Sequence, residues 1–238
     1  MSEKKYWIYG YHAVEGAINN PLRQVFRLVA LKQAEIPENA PIPFQREDRD
    51  FFTKQFGAGA VHQGIAAQIS SLPPVHLDEI CEGPADGPLI LLDQLTDPHN
   101  VGAIMRSAAA FGALAVITTD KHTPEGENPA LLKAASGAFE HVPYIRVVNM
   151  NRTMEQLKKE GYWLMGLDEK GDVPLHKASL EGKIAFVLGA EGSGLRRLTR
   201  DACDFLFHIE TQKIFSTLNV SNAAAVSLYA WASFKGRL

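Results

Sequence analysis

Three stretches carry residue types and spacings suited to chemistry. In the first, Asn100-Val101-Gly102 is followed four residues later by Arg106, behind a polar turn that holds Asp93, Gln94, Thr96, Asp97 and His99. Either Asn100 or Asp97 can cap the helix that starts here, which would leave Arg106 on a solvated face. The run Ala108-Ala109-Ala110 makes that helix slim, so an arginine beside it can also emerge into a crevice. In the second, Phe186-Val187-Leu188 runs into Gly189-Ala190-Glu191-Gly192-Ser193-Gly194. Three glycines let a backbone approach a ligand closely. Neither GxGxxG nor GxxxxGK[ST] is present, and Glu191 sets a negative charge where a phosphate would sit, so a sugar hydroxyl or a cationic partner fits better. A plain strand-to-helix turn is the simpler alternative. The third, Ser216-Thr217-Leu218-Asn219-Val220-Ser221-Asn222, opens an alanine-rich helix. Asn219 or Ser221 can serve as its N-cap, which accounts for one polar residue there but not for the other four in seven.

These stretches need elements to position them. From residue 89 onward, short apolar runs at 89–92, 115–118, 144–148, 163–167, 185–188 and 205–209 alternate with helical patterns at 101–111, 129–136, 154–160, 195–201 and 221–234. Such alternation predicts a mainly parallel sheet covered on both faces. Ligands bind such sheets beyond the carboxyl ends of their strands, where the polar stretches fall. Residues 1–70 predict a separate small α/β unit, with strands near 6–9, 25–31 and 64–69 and helices near 10–18 and 48–56. Between the two, residues 71–88 are rich in proline and glycine and predict a linker with a short helical piece at 77–81.

Composition narrows the function. The 238 residues carry 24 Lys+Arg against 27 Asp+Glu, a net charge of −3, so an RNA partner must be held by a local basic face. Candidates are Lys4, Lys5, Arg23, Arg27, Lys32, Arg46, Arg49 and Lys54. The two cysteines, Cys81 and Cys203, lie in no metal-ligand spacing, and no metal is expected. No apolar run is long enough to span a bilayer and none follows Lys4 and Lys5, so the expected compartment is the cytoplasm.

In order, Asn-x-Gly-x-x-x-Arg, Leu-Gly-x-Glu-Gly-x-Gly and Ser-x-Leu-Asn-Val-Ser-x-Ala resemble the three motifs of the SpoU (TrmH-like) RNA ribose 2′-O-methyltransferases of the SPOUT superfamily, over roughly residues 89–236. Residues 9–14, 62–65 and 96–100 are similar to the branch that methylates guanosine in large-subunit ribosomal RNA. The resemblance implies an α/β fold with a carboxyl-terminal deep trefoil knot, preceded by a small RNA-binding domain like certain ribosomal proteins. It also implies S-adenosylmethionine as cofactor, structured RNA as partner and a homodimer. By it, Gly189, Ile209 and Leu218 lie on the cofactor, and Asn100, Arg106, Glu191 and Asn219 form the reaction site. One departure is visible: after Ile209 the family usually has proline-methionine, where this chain has Glu210-Thr211-Gln212-Lys213-Ile214-Phe215. That difference bears on the shape of the cofactor loop more than on the chemistry.

A ribose 2′-hydroxyl needs its proton removed and its developing alkoxide stabilised, which calls for positioning and charge. A free guanidinium titrates above about 12, so Arg106 is read as the electrostatic stabiliser, with a phosphate oxygen or water taking the proton. His99 is the alternative base, or else a loop histidine that touches RNA. Competing readings are a transfer-RNA methyltransferase, a non-catalytic RNA-binding protein of the same fold, and a nicotinamide-dependent oxidoreductase. The last lacks its glycine fingerprint.

Overall fold

The computed structural model describes residues 5–40, 43–84, 86–190, 192, 194–212 and 217–238. Lys4, Glu191 and Ser216, singled out above, lie outside the described residues.

The first sheet is built from β1 (Lys5–Tyr9), β2 (Val25–Ala30), β3 (Gln45–Arg46) and β4 (Ile65–Ser70), in the order β1-β4-β2-β3. β4 runs antiparallel to both β1 and β2. Helix α1 (Tyr11–Asn19) covers one face and α2 (Arg49–Phe56) the other. Asp48 begins α2 by accepting from the Phe51 N–H at 2.9 Å. Strand β3 is only two residues long, too short to leave a periodicity in the sequence.

After α3 (Leu77–Glu82) comes a seven-stranded sheet: β5 (Leu89–Asp93), β6 (Ala115–Thr119), β7 (Tyr144–Val147), β8 (Tyr162–Leu167), β9 (Val173–Pro174), β10 (Lys183–Gly189) and β11 (Phe205–His208). Every pairing in it is parallel, in the order β7-β6-β5-β10-β8-β11-β9. Strand β10 lies between β5 and β8, so Gly189 sits opposite Asp93 at the carboxyl edge. Helices α4 (Pro98–Ala110), α5 (Pro129–Ala135) and α8 (Val220–Phe234) pack on one face, and α3, α6 (Met150–Lys159) and α7 (Arg197–Ala202) on the other. Ile90 and Leu92 point to the first core while Leu89 and Leu91 point to the second, which is why β5 reads as an unbroken apolar run rather than an alternating one.

Residues 71–88, expected as a linker, run between two units whose apolar layers meet. The first core continues without a break from Ile8, Val14 and Ala17 of the small sheet's layer to Leu131 and Ala138 of the large one. Leu77 and Cys81 of α3 are buried against Met150 and Leu157. The seam is also ionic. Arg23, expected as an RNA contact, is buried; its Nε lies 2.9 Å from Glu140, and its Nη1 lies 2.6 Å from the Ser70 carbonyl and 3.5 Å from Glu127. Burial and two carboxylates commit this guanidinium to the domain interface and withdraw it from RNA. Proline and glycine content reports a segment without regular structure of its own and says nothing about the surfaces on either side of it.

Candidate functional site

The carboxyl ends of β8, β10 and β11 open into a groove of about 1260 Å³ whose walls include Leu188, Gly189, Ile209, Leu218 and Asn219. Single small-ligand pockets run to about 1,000 Å³, so the groove has room for a nucleoside-sized molecule and part of a second one. Gly189, Ile209, Leu218 and Asn219, drawn from three separate segments of the chain, thus line one groove.

Gly189 has no room for a side chain: a Cβ there would overlap the Gly194 carbonyl group and the Leu195 nitrogen. The loop after β10 folds back on itself, with an Ala190–Gly194 bridge and a 2.9 Å bond from the Gly194 N–H to the Ala190 carbonyl. Gly192 and Gly194 hold φ of +81° and +67°, which glycine adopts at little cost.

Sequence reasoning passed over the group that anchors this loop. The Asp93 side chain is fully buried at the end of β5; Arg196 Nε donates to its two oxygens at 2.9 and 3.0 Å, and the Thr199 hydroxyl donates at 2.7 Å. Beside this carboxylate the Arg196 guanidinium holds its proton more tightly than usual, the hydrogen bond to Asp93 outweighing burial. Only the charge of Asp93 at a strand end hinted at such a role, since Arg196 lies 103 residues on. Gln94, the next residue, takes a left-handed φ of +59° as the chain turns toward α4.

At the start of α8, Asn219 Oδ1 accepts from the Ser221 N–H at 2.8 Å and from its hydroxyl at 2.6 Å, so the asparagine caps the helix while lining the groove. On α4, Asp97 is the cap, accepting from the His99 N–H at 2.9 Å, and Asn100 is buried in the first turn. His99 and Arg106 are exposed. Neither Asn100 nor Arg106 is among the residues that line the groove.

Among the basic candidates, Lys5 is exposed over the Phe26 ring at 4.2 Å. Arg27 is half-buried, 2.6 Å from Glu47 and 5.3 Å from the Phe51 ring. Both thiols are poor nucleophiles: burial pushes Cys203 up to about 12 and raises Cys81 as well. Among the described residues no group of three His, Cys, Asp or Glu side chains is placed to hold a metal ion, and no helix is long and apolar enough to cross a membrane.

The groove fits S-adenosylmethionine in chemistry. Ile209, Leu188 and Leu218 offer apolar walls for an adenine, Gly189 allows close backbone approach, and Asp168, Lys170, Arg197 and Glu210 put both signs of charge on the rim for a zwitterionic amino-acid end.

The chain is similar to known proteins over nearly its whole length. The family described as SpoU rRNA Methylase matches residues 87–229, and the one described as RNA 2′-O ribose methyltransferase substrate binding matches residues 7–75. A 23S rRNA (guanosine-2′-O-)-methyltransferase of Ralstonia nicotianae is 38% identical over 96% of this chain and 95% of its own. The Escherichia coli protein of the same name is 37% identical over 93% of this chain and 96% of its own. In fold, the chain is similar to the SpoU methyltransferase AviRb of Streptomyces viridochromogenes, solved in complex with AdoMet, with a TM-score of 0.81 and 24% identity over 98% of this chain and 90% of that one. A match that runs through both sheets, at an identity well above that of the fold neighbour, settles the family. The chain belongs to the SpoU rRNA methylase family.

Proposed function

We propose that this protein transfers the methyl group of S-adenosylmethionine to a ribose 2′-hydroxyl in structured RNA, and that the target is a guanosine of 23S ribosomal RNA. One observation carries the reading. The groove gathers Gly189, Ile209, Leu218 and Asn219 at the strand ends, in a chain that matches 23S guanosine 2′-O-methyltransferases over nearly its whole length.

S-adenosylmethionine supplies an electrophilic methyl group on a sulfonium and needs no metal. The chain supplies position and charge. Gly189 lets the backbone close on the cofactor, Ile209 and Leu218 wall it, and Asn219 holds the start of α8 at the groove. Glu191, next to this loop in sequence, and Asn100 on α4 complete the reaction site. Arg106 stabilises the developing alkoxide by its charge, while the proton leaves to a phosphate oxygen of the RNA or to water.

Arg106 does not line its own chain's groove, and the outer face of α8 carries exposed apolar side chains. Val226, Tyr229 and Phe234 are 41%, 56% and 46% exposed, and Tyr229 packs edge-on against Phe111 at 6.0 Å. A second copy docked on this face would cover it and present Arg106 to the partner's groove, so the active species is a homodimer. The position of β10 between β5 and β8, with α8 packed back on β10 and α4, supports the trefoil knot of the family. Residues 1–70 form the RNA-binding domain, with Lys5 and Arg27 among its contacts; 71–88 connect it, and 89–238 form the catalytic domain. The protein works in the cytoplasm, where its RNA is.

The test supplies S-adenosylmethionine labelled in its methyl group together with protein-free large-subunit ribosomal RNA. The expected product is a single guanosine methylated on its ribose, located by mass mapping. Label in transfer RNA alone would replace the substrate, and label on a base would overturn the reaction.

A further inference from the structure

Two segments singled out in the sequence, residues 9–14 and 62–65, have no part in the groove, yet the fold brings them to one point. At the end of β1, Gly10 (φ +92°) donates to the Ile65 carbonyl at 3.1 Å, and the Tyr11 N–H donates to Gln63 Oε1 at 2.9 Å. Gln63 itself is left-handed, at φ +53°. His62 Nδ1 accepts from the Gly64 N–H at 3.0 Å, and the ring stacks on Phe52 at 4.4 Å, which fixes its plane and leaves Nε2 as the edge for an outside partner.

Into this corner reaches Lys133 of α5, from the other side of the seam. A Cβ on Gly10 would come within 2.7 Å of its Nζ, and the ammonium stands 5.7 Å from the Tyr9 ring. The rest of the seam pairs its cation, since Arg23 meets Glu140 and Glu127. Lys133, in a chain with more acidic than basic residues, has no carboxylate within 4 Å among the described residues. Burial lowers the pKa of Lys133, and burial together with Lys133 and Arg49 lowers that of His62, which favours a neutral imidazole beside the ammonium. The Lys133 ammonium thus stands at a half-buried corner with no carboxylate beside it among the described residues.

We propose that Lys133, flanked by His62 and Arg49, binds a backbone phosphate of the substrate RNA at a subsite shared by the two domains. The inference rests on the RNA reading above. Its position gives it a use: the residue after Lys133, Ala134, packs where a side chain on Gly102 would sit, two residues from Asn100. A phosphate held here is therefore in fixed register with the first turn of α4, and RNA bound by the small domain is aligned with the reaction site.

The test compares full-length wild type with Lys133→Met and Lys133→Arg, using protein-free large-subunit ribosomal RNA and a salt series. Lys133→Met is expected to weaken RNA binding roughly tenfold, as for loss of one charge-assisted contact, and to lower the slope of log affinity against log salt by about 0.7 to 0.9. The loss falls on KM for RNA, affinity for S-adenosylmethionine is unaltered, and Lys133→Arg keeps the salt slope. The thermal midpoint of Lys133→Met without RNA equals or exceeds that of wild type, because a half-buried cation with no carboxylate beside it has been replaced by an apolar side chain of similar length that can still pack on the Tyr9 ring. Unchanged RNA affinity and salt slope in Lys133→Met, in an enzyme whose wild type methylates the RNA, overturn the subsite alone. So does a lowered thermal midpoint with RNA binding intact, which marks the lysine as structural. A wild type that does not bind the RNA removes the RNA reading and the subsite with it.

Discussion

Replacing Gly189 by alanine isolates the close approach on which the cofactor groove depends. The atoms a Cβ would overlap are the Gly194 carbonyl carbon and oxygen and the Leu195 nitrogen, all backbone, so no flexible side chain can swing away. Overpacking costs about 1 to 3 kcal/mol where side chains can adjust, and rigid backbone puts this case near the upper figure. At about 2 to 4 °C per kcal/mol for a chain of this size, the thermal midpoint should fall by about 6 to 12 °C. Because the loop from Ala190 to Leu195 must move away from Gly189, affinity for S-adenosylmethionine by calorimetry should drop at least about tenfold, roughly 1.4 kcal/mol. Gly192→Ala is the matched control. It sits in the same loop at φ +81° with nothing within 4 Å of a Cβ, so it carries only the left-handed backbone cost of about 1 to 2 kcal/mol. It should therefore lose less stability than Gly189→Ala and nearly keep its affinity. If Gly189→Ala binds the cofactor as wild type does, or if both variants lose affinity equally, close backbone packing is not what shapes the groove.

Arg106→Ala should leave S-adenosylmethionine binding near wild type and cut single-turnover methyl transfer by at least about a hundredfold, the scale of one transition-state charge contact; near-normal turnover in a folded variant would remove Arg106 from the mechanism. Tyr229→Asp sets a charge in the exposed face of α8 and should yield monomers by light scattering at micromolar concentration, with loss of activity; a fully active monomer would refute the shared site. Arg23→Met leaves the buried Glu140 carboxylate without its ion pair, which should cost about 3 to 5 kcal/mol and speed proteolysis between residues 71 and 88. A freely tethered first domain would show neither change.

The sequence was most informative where the signal is local. The apolar runs of β5, β6 and β10, the helical spacing of α4 and α8, and the turn residues between them are set by backbone geometry within a few positions, so the order of the longer elements could be read directly, while the two-residue strands β3 and β9 left no signal. The three motifs were legible for a related reason: glycine, asparagine and arginine at fixed short spacing are rarely needed together for folding alone. Some local choices were readable only as alternatives. Asp97, not Asn100, caps α4, while Asn219 both caps α8 and lines the groove.

What only the tertiary structure decided concerns surfaces that meet across long separations. Arg23 was one basic residue among eight until the fold set it on Glu140, 117 residues away, and took it out of the RNA face. Residues 71–88 have the composition of a tether, but the apolar layer on either side of them is continuous, so the two sheets share one core. Asn100 and Arg106 are not among the residues that line the groove with Gly189, Ile209, Leu218 and Asn219, which is what the proposal of a second chain rests on. Lys133 drew no notice in the sequence and gained its place from packing against Gly10. Periodicity tells which side of an element is apolar, but the identity of the surface that covers it is fixed by the packing of the whole chain.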